Sequence, residues 1–460
     1  MRQGDAGVNL KAAFKAYDIR GRVPDELDED AARRIGRAYV EQIKPKRVVL
    51  GRDVRLSSAA FAAAVTEGVR GAGAEVLDIG LCGTEEMYFA TFHLKADGGI
   101  MVTASHNPPD YNGMKFVREG ARPVSADTGL QDIARRVLAG APGPATAPRG
   151  GYRQINVRDD YVRHVLGYVD TAALKPIKVV VNAGNGCAGP TFDAIAKHLP
   201  LQVTRLLHEP DGRFPNGVPN PMLEQNRALT AQTVRQQDAA LGIAWDGDFD
   251  RCFFFDEHGA FIESYYLVGL LAQAFLAKFP GEKIVHDPRL TWNTLDIVRG
   301  AGGTPVVSRC GHAFIKDVMR SANAIYGGEM SAHHYFRDFS YCDSGMIPWL
   351  LMLELLATSG RPLSALVAER LRRFPVSGEI NRRVTDGRAV LHRLEQRYAA
   401  QAADTAHLDG LSMEFADWRF NLRASNTEPL LRLNVETRGD PALLKARTAE
   451  LLELIGGQPG

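Results

Sequence analysis

Residues 28–79 read DEDAARRIGRAYVEQIKPKRVVLGRDVRLSSAAFAAAVTEGVRGAGAEVLDI. From Asp28 to Ile43 apolar residues recur at helical spacing behind an acidic start, and Arg47-Val48-Val49-Leu50 then reads as a short strand. Ser57 to Gly71 is helical again, and Glu75-Val76-Leu77-Asp78-Ile79 is a second strand. Strands that alternate with helices in this way predict a mainly parallel α/β sheet.

The same grammar recurs downstream. Beyond Ala141–Gly151, rich in Pro and Gly and the clearest linker, come the strand Lys178–Asn182, the turn Ala183-Gly184-Asn185-Gly186 and a helix from Pro190 to Lys197. Glycines ahead of a helix can cradle phosphate, but this turn reads more simply as a tight strand-to-helix connection. Ile284–Asp287 and Thr304–Val307 are strands around a helix from Asn293 to Arg299. After about Phe374 the character changes, to a helix Val390–Ala403, a strand Leu430–Val435 and a charged terminal helix. For 460 residues, three or four domains of roughly 100–200 residues are expected. The pattern predicts an α/β protein of four domains, three of similar mixed α/β build and a smaller α+β domain at the C-terminus. Their expected spans are 1–152, 153–260, 261–372 and 373–460.

Composition narrows the function class. A 45% hydrophobic and 24% charged chain has an ordinary globular balance, and a net charge of +1 provides no field for nucleic acid or a membrane surface. Any anion site must be local. Five cysteines without a C-x-x-C pair argue against a disulfide framework and fit a reducing compartment. Met1–Ala13 lacks a signal-like apolar region, and no run approaches the roughly 18 apolar residues of a membrane span. A cytoplasmic protein is expected.

Four stretches carry chemistry. Thr103-Ala104-Ser105-His106-Asn107-Pro108 follows the apolar run Gly99–Val102, so Ser105 is expected on an exposed loop. The adjacent His106 is poorly placed as its base, and no G-x-S-x-G elbow is present. Asp246-Gly247-Asp248-Phe249-Asp250-Arg251 follows the apolar Leu241–Trp245, and its alternating carboxylates offer hard oxygen ligands suited to Mg²⁺. An EF-hand is disfavoured because Arg251 stands where that loop needs glycine and Cys252–Phe255 reads as a strand. In Gly328-Glu329-Met330-Ser331-Ala332-His333, an extended backbone would turn a carboxylate, a hydroxyl and an imidazole to one side, an edge suited to sugar hydroxyls. Arg423-Ala424-Ser425-Asn426-Thr427-Glu428-Pro429 reads either as a phosphate clamp or as a capped turn.

In this order the four stretches resemble the α-D-phosphohexomutase superfamily, most closely its bacterial phosphomannomutase/phosphoglucomutase branch. The resemblance spans the chain and is most specific at TASHNP, GEMSAH and RASNTEP. It implies four domains around a central cleft, and reversible interconversion of hexose 1-phosphate and hexose 6-phosphate through a phosphoserine and a hexose 1,6-bisphosphate. Ser105 would carry the phosphate, with Mg²⁺ held by Asp246, Asp248, Asp250 and that phosphate. Glu329 and Ser331, with His333 beside them, would read the sugar. Arg423, Ser425, Asn426 and Thr427 would hold the non-reacting phosphate. Tyr17 and Arg20 in AYDIRG, Lys115 in Gly113-Met114-Lys115, Arg251, and His312 in Gly311-His312-Ala313-Phe314 match the family's cleft, with Lys115 and His312 as proton-transfer candidates.

Two positions depart from the family pattern. Phe249 replaces the glycine of the usual DGDGDR loop, where no side-chain ligand is needed, so metal binding is expected to survive. Arg289 in Asp287-Pro288-Arg289 stands where many relatives carry lysine, and is expected to contact phosphate. Hexose phosphates acted on by a monomer are the partners implied. A metal-dependent phosphosugar phosphatase and a non-catalytic sugar-phosphate-binding relative are the competing readings.

Overall fold

The computed structural model describes residues 9–140, 148–424 and 430–460. It forms two compact units, Met1–Ala260 with Cys342–Thr358, and Phe261–Tyr341 with Ser359–Gly460.

In the first unit the helix Glu29–Ile43 begins where the Asp28 carboxylate accepts from the Ala31 amide at 2.7 Å, and ends at a left-handed Lys44. Its buried face (Ala31, Ala32, Ile35, Tyr39) joins one core with Phe61, Val65 and Val69 of the helix Ser58–Gly71. Beneath them lies a sheet in the order Ile19–Arg22, Tyr111–Arg118, Gly98–Val102, Arg47–Arg52, Glu75–Leu81, Tyr152–Gln154. The last four strands are parallel, as the helix–strand alternation requires, and the first two are antiparallel additions. A second sheet pairs Leu241–Trp245 in parallel with Ile177–Asn182 and antiparallel with Cys252–Phe255. The strand ends Val102 and Trp245 thus lead directly into the serine and aspartate stretches.

The helix Ile347–Ser359, apolar and buried almost all round, docks in this same unit. Trp349 lies 5.1 Å from the Phe192 ring, and Trp245 Nε1 donates to the Gly345 carbonyl at 2.8 Å. Just before the helix, the fully buried Glu85 carboxylate accepts from Ser344 Oγ at 2.7 Å, from the Gly345 and Met346 amides at 2.5 and 3.2 Å, and from the Tyr161 hydroxyl.

In the second unit, Thr304–Val307, Lys283–His286 and Tyr326–Gly328 lie parallel in that order, with His334–Phe336 antiparallel beyond. The C-terminal sheet is antiparallel, in the order Asp404–Ala406, Leu411–Glu414, Trp418–Ala424, Leu430–Thr437, Ile380–Arg383, Gln458–Pro459. The helices Gly387–Tyr398 and Pro441–Ile455 share its core. This is the α+β build expected of the final segment. The buried Arg419 and Glu436 tie this sheet to the loop after Lys283–His286. Arg419 donates to the Pro288 and Arg289 carbonyls at 2.9 and 3.0 Å, while Glu436 accepts from Arg419 at 2.8 Å and from the Thr291 amide at 2.7 Å.

One local expectation is corrected. The helix expected at Val390–Ala403 spans Gly387–Tyr398, because the Asp386 carboxylate caps it three residues earlier by accepting from the Ala389 amide. The stretch that holds Arg20 joins the first sheet. Ile19–Arg22 forms a strand on Tyr111–Arg118, with Ile19 fully buried.

Candidate active site

Ser105 sits in the turn that follows Gly98–Val102, but it is 3% exposed rather than on an open loop. The aspartate loop covers it. A Cβ on Gly247 would lie 2.4 Å from the Ser105 carbonyl oxygen, so only glycine permits this approach. Ser105 has φ 48°, a left-handed conformation uncommon for serine, and its amide donates to Thr103 Oγ1 at 2.9 Å. Its hydroxyl donates to Asp246 Oδ2 at 2.9 Å. His106 Nδ1 is also within 3.0 Å of that hydroxyl, closer than adjacency in sequence suggested. Its lone pair, however, accepts from Arg251 Nη2 at 2.6 Å. Loss of hydration, with Arg251 and Arg20 nearby, pushes the imidazole well below its ordinary value, so His106 is a neutral acceptor beside the serine.

The three aspartates converge. Asp246, Asp248 and Asp250 are buried, and each offers an oxygen within 4.8 Å of the others'. Lys115 Nζ donates to Asp248 Oδ2 and Asp250 Oδ2 at 2.7 and 2.5 Å, Thr84 Oγ1 to Asp248 Oδ2 at 2.6 Å, and Arg251 Nε to Asp246 Oδ2 at 2.9 Å. Burial, reinforced by Asp250 and Asp248 and opposed by Arg251, pushes Asp246 up to about 6. For Asp248, burial and Asp250 also push upward, but Lys115 and Thr84 outweigh them and hold it below the usual carboxylate range. Asp248 Oδ1 is buried without a hydrogen-bond partner among the described residues, a cost that protein structures rarely leave uncompensated. Hard carboxylate oxygens and an orphaned acceptor among them fit Mg²⁺.

Phe249 occupies the loop position where glycine was expected. It too is left-handed, at φ 45°, and is completely buried. Its ring lies on Gly83, where an added Cβ would meet Phe249 Cε1 at 2.2 Å. The aromatic ring therefore becomes the loop's inner wall and leaves the carboxylates in place.

The second unit holds a cluster of its own. Glu329 to His333 form a tight turn rather than an extended edge, with the Glu329 amide donating to the His333 carbonyl at 3.0 Å and Ala332 at φ 70°. The turn still brings the side chains together. Ser331 Oγ is 3.1 Å, and Glu329 Oε2 3.7 Å, from His333 Nδ1. The buried Glu329 carboxylate accepts from the Gly311 amide at 2.8 Å and the Tyr335 hydroxyl at 2.5 Å. His312 opens the helix His312–Ala322 directly after Gly311. Arg289 is buried against Asp287 at 2.7 Å and lies 3.9 Å from Glu329. Arg423 is the penultimate residue of the strand Trp418–Ala424, with Nε buried and without a hydrogen-bond partner among the described residues. Ser425, Asn426 and Thr427 lie outside the described residues.

Four family models match the chain in order. They are phosphoglucomutase/phosphomannomutase alpha/beta/alpha domain I at residues 11–141, domain II at 159–259, domain III at 263–374, and the C-terminal domain at 379–454. The chain belongs to the phosphoglucomutase/phosphomannomutase family. Phosphohexose mutases of Xanthomonas campestris pv. campestris are 61% identical over 97% of this chain and 99% of theirs. A phosphomannomutase of Salmonella montevideo is 60% identical over 97% of this chain and 100% of its own length. A crystal structure of a phosphoglucomutase/phosphomannomutase family protein from Burkholderia thailandensis matches with TM-score 0.87 at 32% identity, covering 98% of this chain and 99% of that one. The protein is a phosphohexomutase and acts on hexose phosphates. Among the described residues no single helix is long and apolar enough to cross a membrane.

Several residues in contact with these clusters are not singled out by the motifs of this phosphohexomutase. Thr84 binds Asp248, and Asn107 Oδ1 accepts from Arg20 Nη1 at 2.6 Å. Glu379 lies 3.5, 3.7 and 3.3 Å from Arg289, Arg423 and Arg432. Burial pushes Glu379 upward, but these three guanidiniums outweigh it and hold the carboxyl below its usual range. Asn107 stood inside the quoted TASHNP motif and could have been named. Thr84 and Glu379 carry no local signal.

Proposed function

We propose that the enzyme interconverts hexose 1-phosphate and hexose 6-phosphate by way of a phosphorylated Ser105 and a hexose 1,6-bisphosphate. The observation that carries this reading is the Ser105 hydroxyl 2.9 Å from Asp246 Oδ2, beside two further buried carboxylates. Asp246, Asp248 and Asp250, with the phosphate on Ser105, would hold Mg²⁺. When bound, that ion supplies charge neutralisation at the transferring phosphoryl group.

In the forward direction the bond from Ser105 Oγ to phosphorus breaks as a bond from the sugar hydroxyl to phosphorus forms, the hydroxyl passing its proton to a base and the departing Ser105 oxygen taking one up. Lys115 and His312 are the proton-transfer candidates, with Lys115, held as a cation between Asp248 and Asp250, able only to give its proton. Arg20 and Arg251 neutralise phosphoryl charge, and Tyr17 lines the binding surface. Glu329, Ser331 and His333 bind the sugar hydroxyls, while Arg289, Arg423, Ser425, Asn426 and Thr427 hold the non-reacting phosphate. The bisphosphate then reverses its orientation and returns the other phosphate to Ser105, so phosphate is conserved and only its position changes. Most of the acceleration comes from positioning and charge neutralisation, with water kept from the serine.

Intact-mass measurement is expected to find one added phosphate, mapped to Ser105 by fragmentation. Ser105→Ala is expected to fold normally and to lose more than nine-tenths of turnover. Retention of more than about a tenth, a loss below roughly 1.4 kcal/mol, would show that the serine is not the carrier. Stoichiometric release of inorganic phosphate instead of hexose 6-phosphate would identify a hydrolase.

A further inference from the structure

The turn after Gly98–Val102 directs four backbone carbonyls at one side chain. Arg55 Nη1 donates to the Pro108 and Tyr111 carbonyls at 2.7 and 2.9 Å, and Nη2 donates to those of Ser105 and Asn107 at 2.9 and 2.7 Å. Arg55 is 2% exposed. Its Nε lies 3.3 Å from Asp53 Oδ2, and Asp53 Oδ1 accepts from the Arg55 amide at 3.0 Å and from Ser58 Oγ at 2.5 Å. The Asp53 amide in turn donates to the Val102 carbonyl at 2.9 Å. The guanidinium is therefore anchored to the end of the strand whose following turn it grips. From the second sheet's side of the unit, Phe214 covers it with its ring centroid 5.4 Å away, and Gly212 forms a backbone bridge to Arg55.

We infer that Arg55 is the positioning residue that aims Ser105 at the aspartate cluster. Ser105 holds a left-handed backbone, which serine adopts only when its surroundings impose it. The fork fixes the Ser105 carbonyl, and with it the direction of the Cα–Cβ bond that carries Oγ toward Asp246. It also fixes the backbone of Asn107, whose side chain accepts from Arg20. A planar fork can serve four acceptors spread across its rim, whereas a lysine ammonium donates from a single atom and cannot. Arg55 touches no reacting group. It acts through the backbone, where a displacement of about 1 Å can reduce a rate a hundredfold.

This inference rests on Ser105 being the phosphoryl carrier, so Ser105→Ala is assayed beside it. Arg55→Lys, with folding checked by thermal melting, is expected to lower kcat at least tenfold and leave KM for hexose 1-phosphate within threefold. Arg55→Ala is expected to recover activity at least threefold when guanidinium is added, and Ser105→Ala to show no such recovery. Should Arg55→Lys not fold, Phe214→Leu removes only the covering ring and is expected to lower kcat at least threefold with KM held. A folded Arg55→Lys with kcat within twofold of wild type, or with its whole defect in KM, overturns the inference, as does an unchanged kcat in Phe214→Leu. Wild-type Arg55→Lys beside an inactive Ser105→Ala removes this inference alone, whereas an active Ser105→Ala removes the reading of the serine itself.

Discussion

Lys115 Nζ lies 2.7 Å from Asp248 Oδ2, and both groups are buried. Asp250 Oδ2 flanks the same nitrogen at 2.5 Å. Burial alone would drive the ammonium toward losing its proton, but Asp248 and Asp250 outweigh it and hold Lys115 above its ordinary value. The cation therefore offsets part of the charge that a divalent ion would meet. Lys115→Met is expected to bind Mg²⁺ about tenfold more tightly, roughly 1.4 kcal/mol after screening, and to lose most turnover. Asp248→Asn removes an anionic ligand and is expected to bind Mg²⁺ at least about tenfold more weakly. Titration calorimetry on the two variants and the wild type checks both. Equal affinities for Asp248→Asn and wild type would remove Asp248 from the ligand set.

Phe249 gives a second expectation, because its backbone and side chain pull in opposite directions. The left-handed φ of 45° carries strain of about 1–2 kcal/mol that glycine would relieve. The completely buried ring contributes more, since truncating a buried phenylalanine costs about 3–5 kcal/mol. Phe249→Gly is therefore expected to destabilise the enzyme by about 1–4 kcal/mol in denaturant titration, while Mg²⁺ affinity stays within about threefold. Gly83→Ala pushes a methyl group into the same ring and is expected to cost about 1–3 kcal/mol.

Stability should also depend on pH through Glu85. Burial pushes this carboxyl up to about 8, against the hydrogen bonds from Tyr161, Ser344 and Gly345 that favour its charged form. Below about pH 4.5 the folded and unfolded chains both carry the proton, and the group makes no difference. Between about 4.5 and 8 the unfolded chain releases the proton while the folded chain keeps it, so stability falls as pH rises, by up to about 4–5 kcal/mol. Above about 8 the penalty is constant. Glu85→Gln cannot ionise, and its amide meets the Gly345 and Met346 N–H donors at a fixed cost of about 1–3 kcal/mol. The advantage of the wild type at pH 5 is expected to vanish as pH rises and to reverse by about pH 8 in urea titrations, because its loss exceeds the fixed cost of the variant. A gap constant across that range would mean that Glu85 is ionised throughout.

What the sequence made legible follows from the reach of its signals. Periodicity located Glu29–Ile43, Arg47–Arg52 and Ser58–Gly71 to within a residue or two, because each buries one face against its neighbour. The carboxylates of Asp246, Asp248 and Asp250 were legible because one short loop carries all three. Arg55, Glu85 and Glu379 were not, since each acts on partners roughly 50 to 260 positions away, and a lone charged residue reads as solvated surface. Burial of Ser105 escaped for the same reason, as its cover is a loop more than 140 positions downstream. The turn at Glu329–His333 was not legible because its left-handed residue, Ala332, carries no turn signal.

That turn bears on substrate breadth. Glu329 has both oxygens held, by the Gly311 amide and the Tyr335 hydroxyl, so the carboxylate is fixed before a sugar arrives and its remaining lone pairs point in set directions. We propose that with Ser331 it binds the hydroxyls at C3 and C4, whose configuration glucose and mannose share. No residue in the site is assigned to C2, and a bisphosphate that binds in two opposed orientations displaces any C2 contact when it turns over. Glucose 1-phosphate and mannose 1-phosphate are both expected to be substrates. Galactose 1-phosphate, inverted at C4, leaves a buried polar partner unpaired and is expected to lose about 1–3 kcal/mol, roughly 5- to 150-fold in kcat/KM. Steady-state kcat/KM for the three sugars decides it. A glucose-to-mannose ratio beyond about a thousandfold in either direction, roughly 4 kcal/mol, would require a residue that reads C2, and galactose equal to glucose would release Glu329 and Ser331 from the C4 hydroxyl.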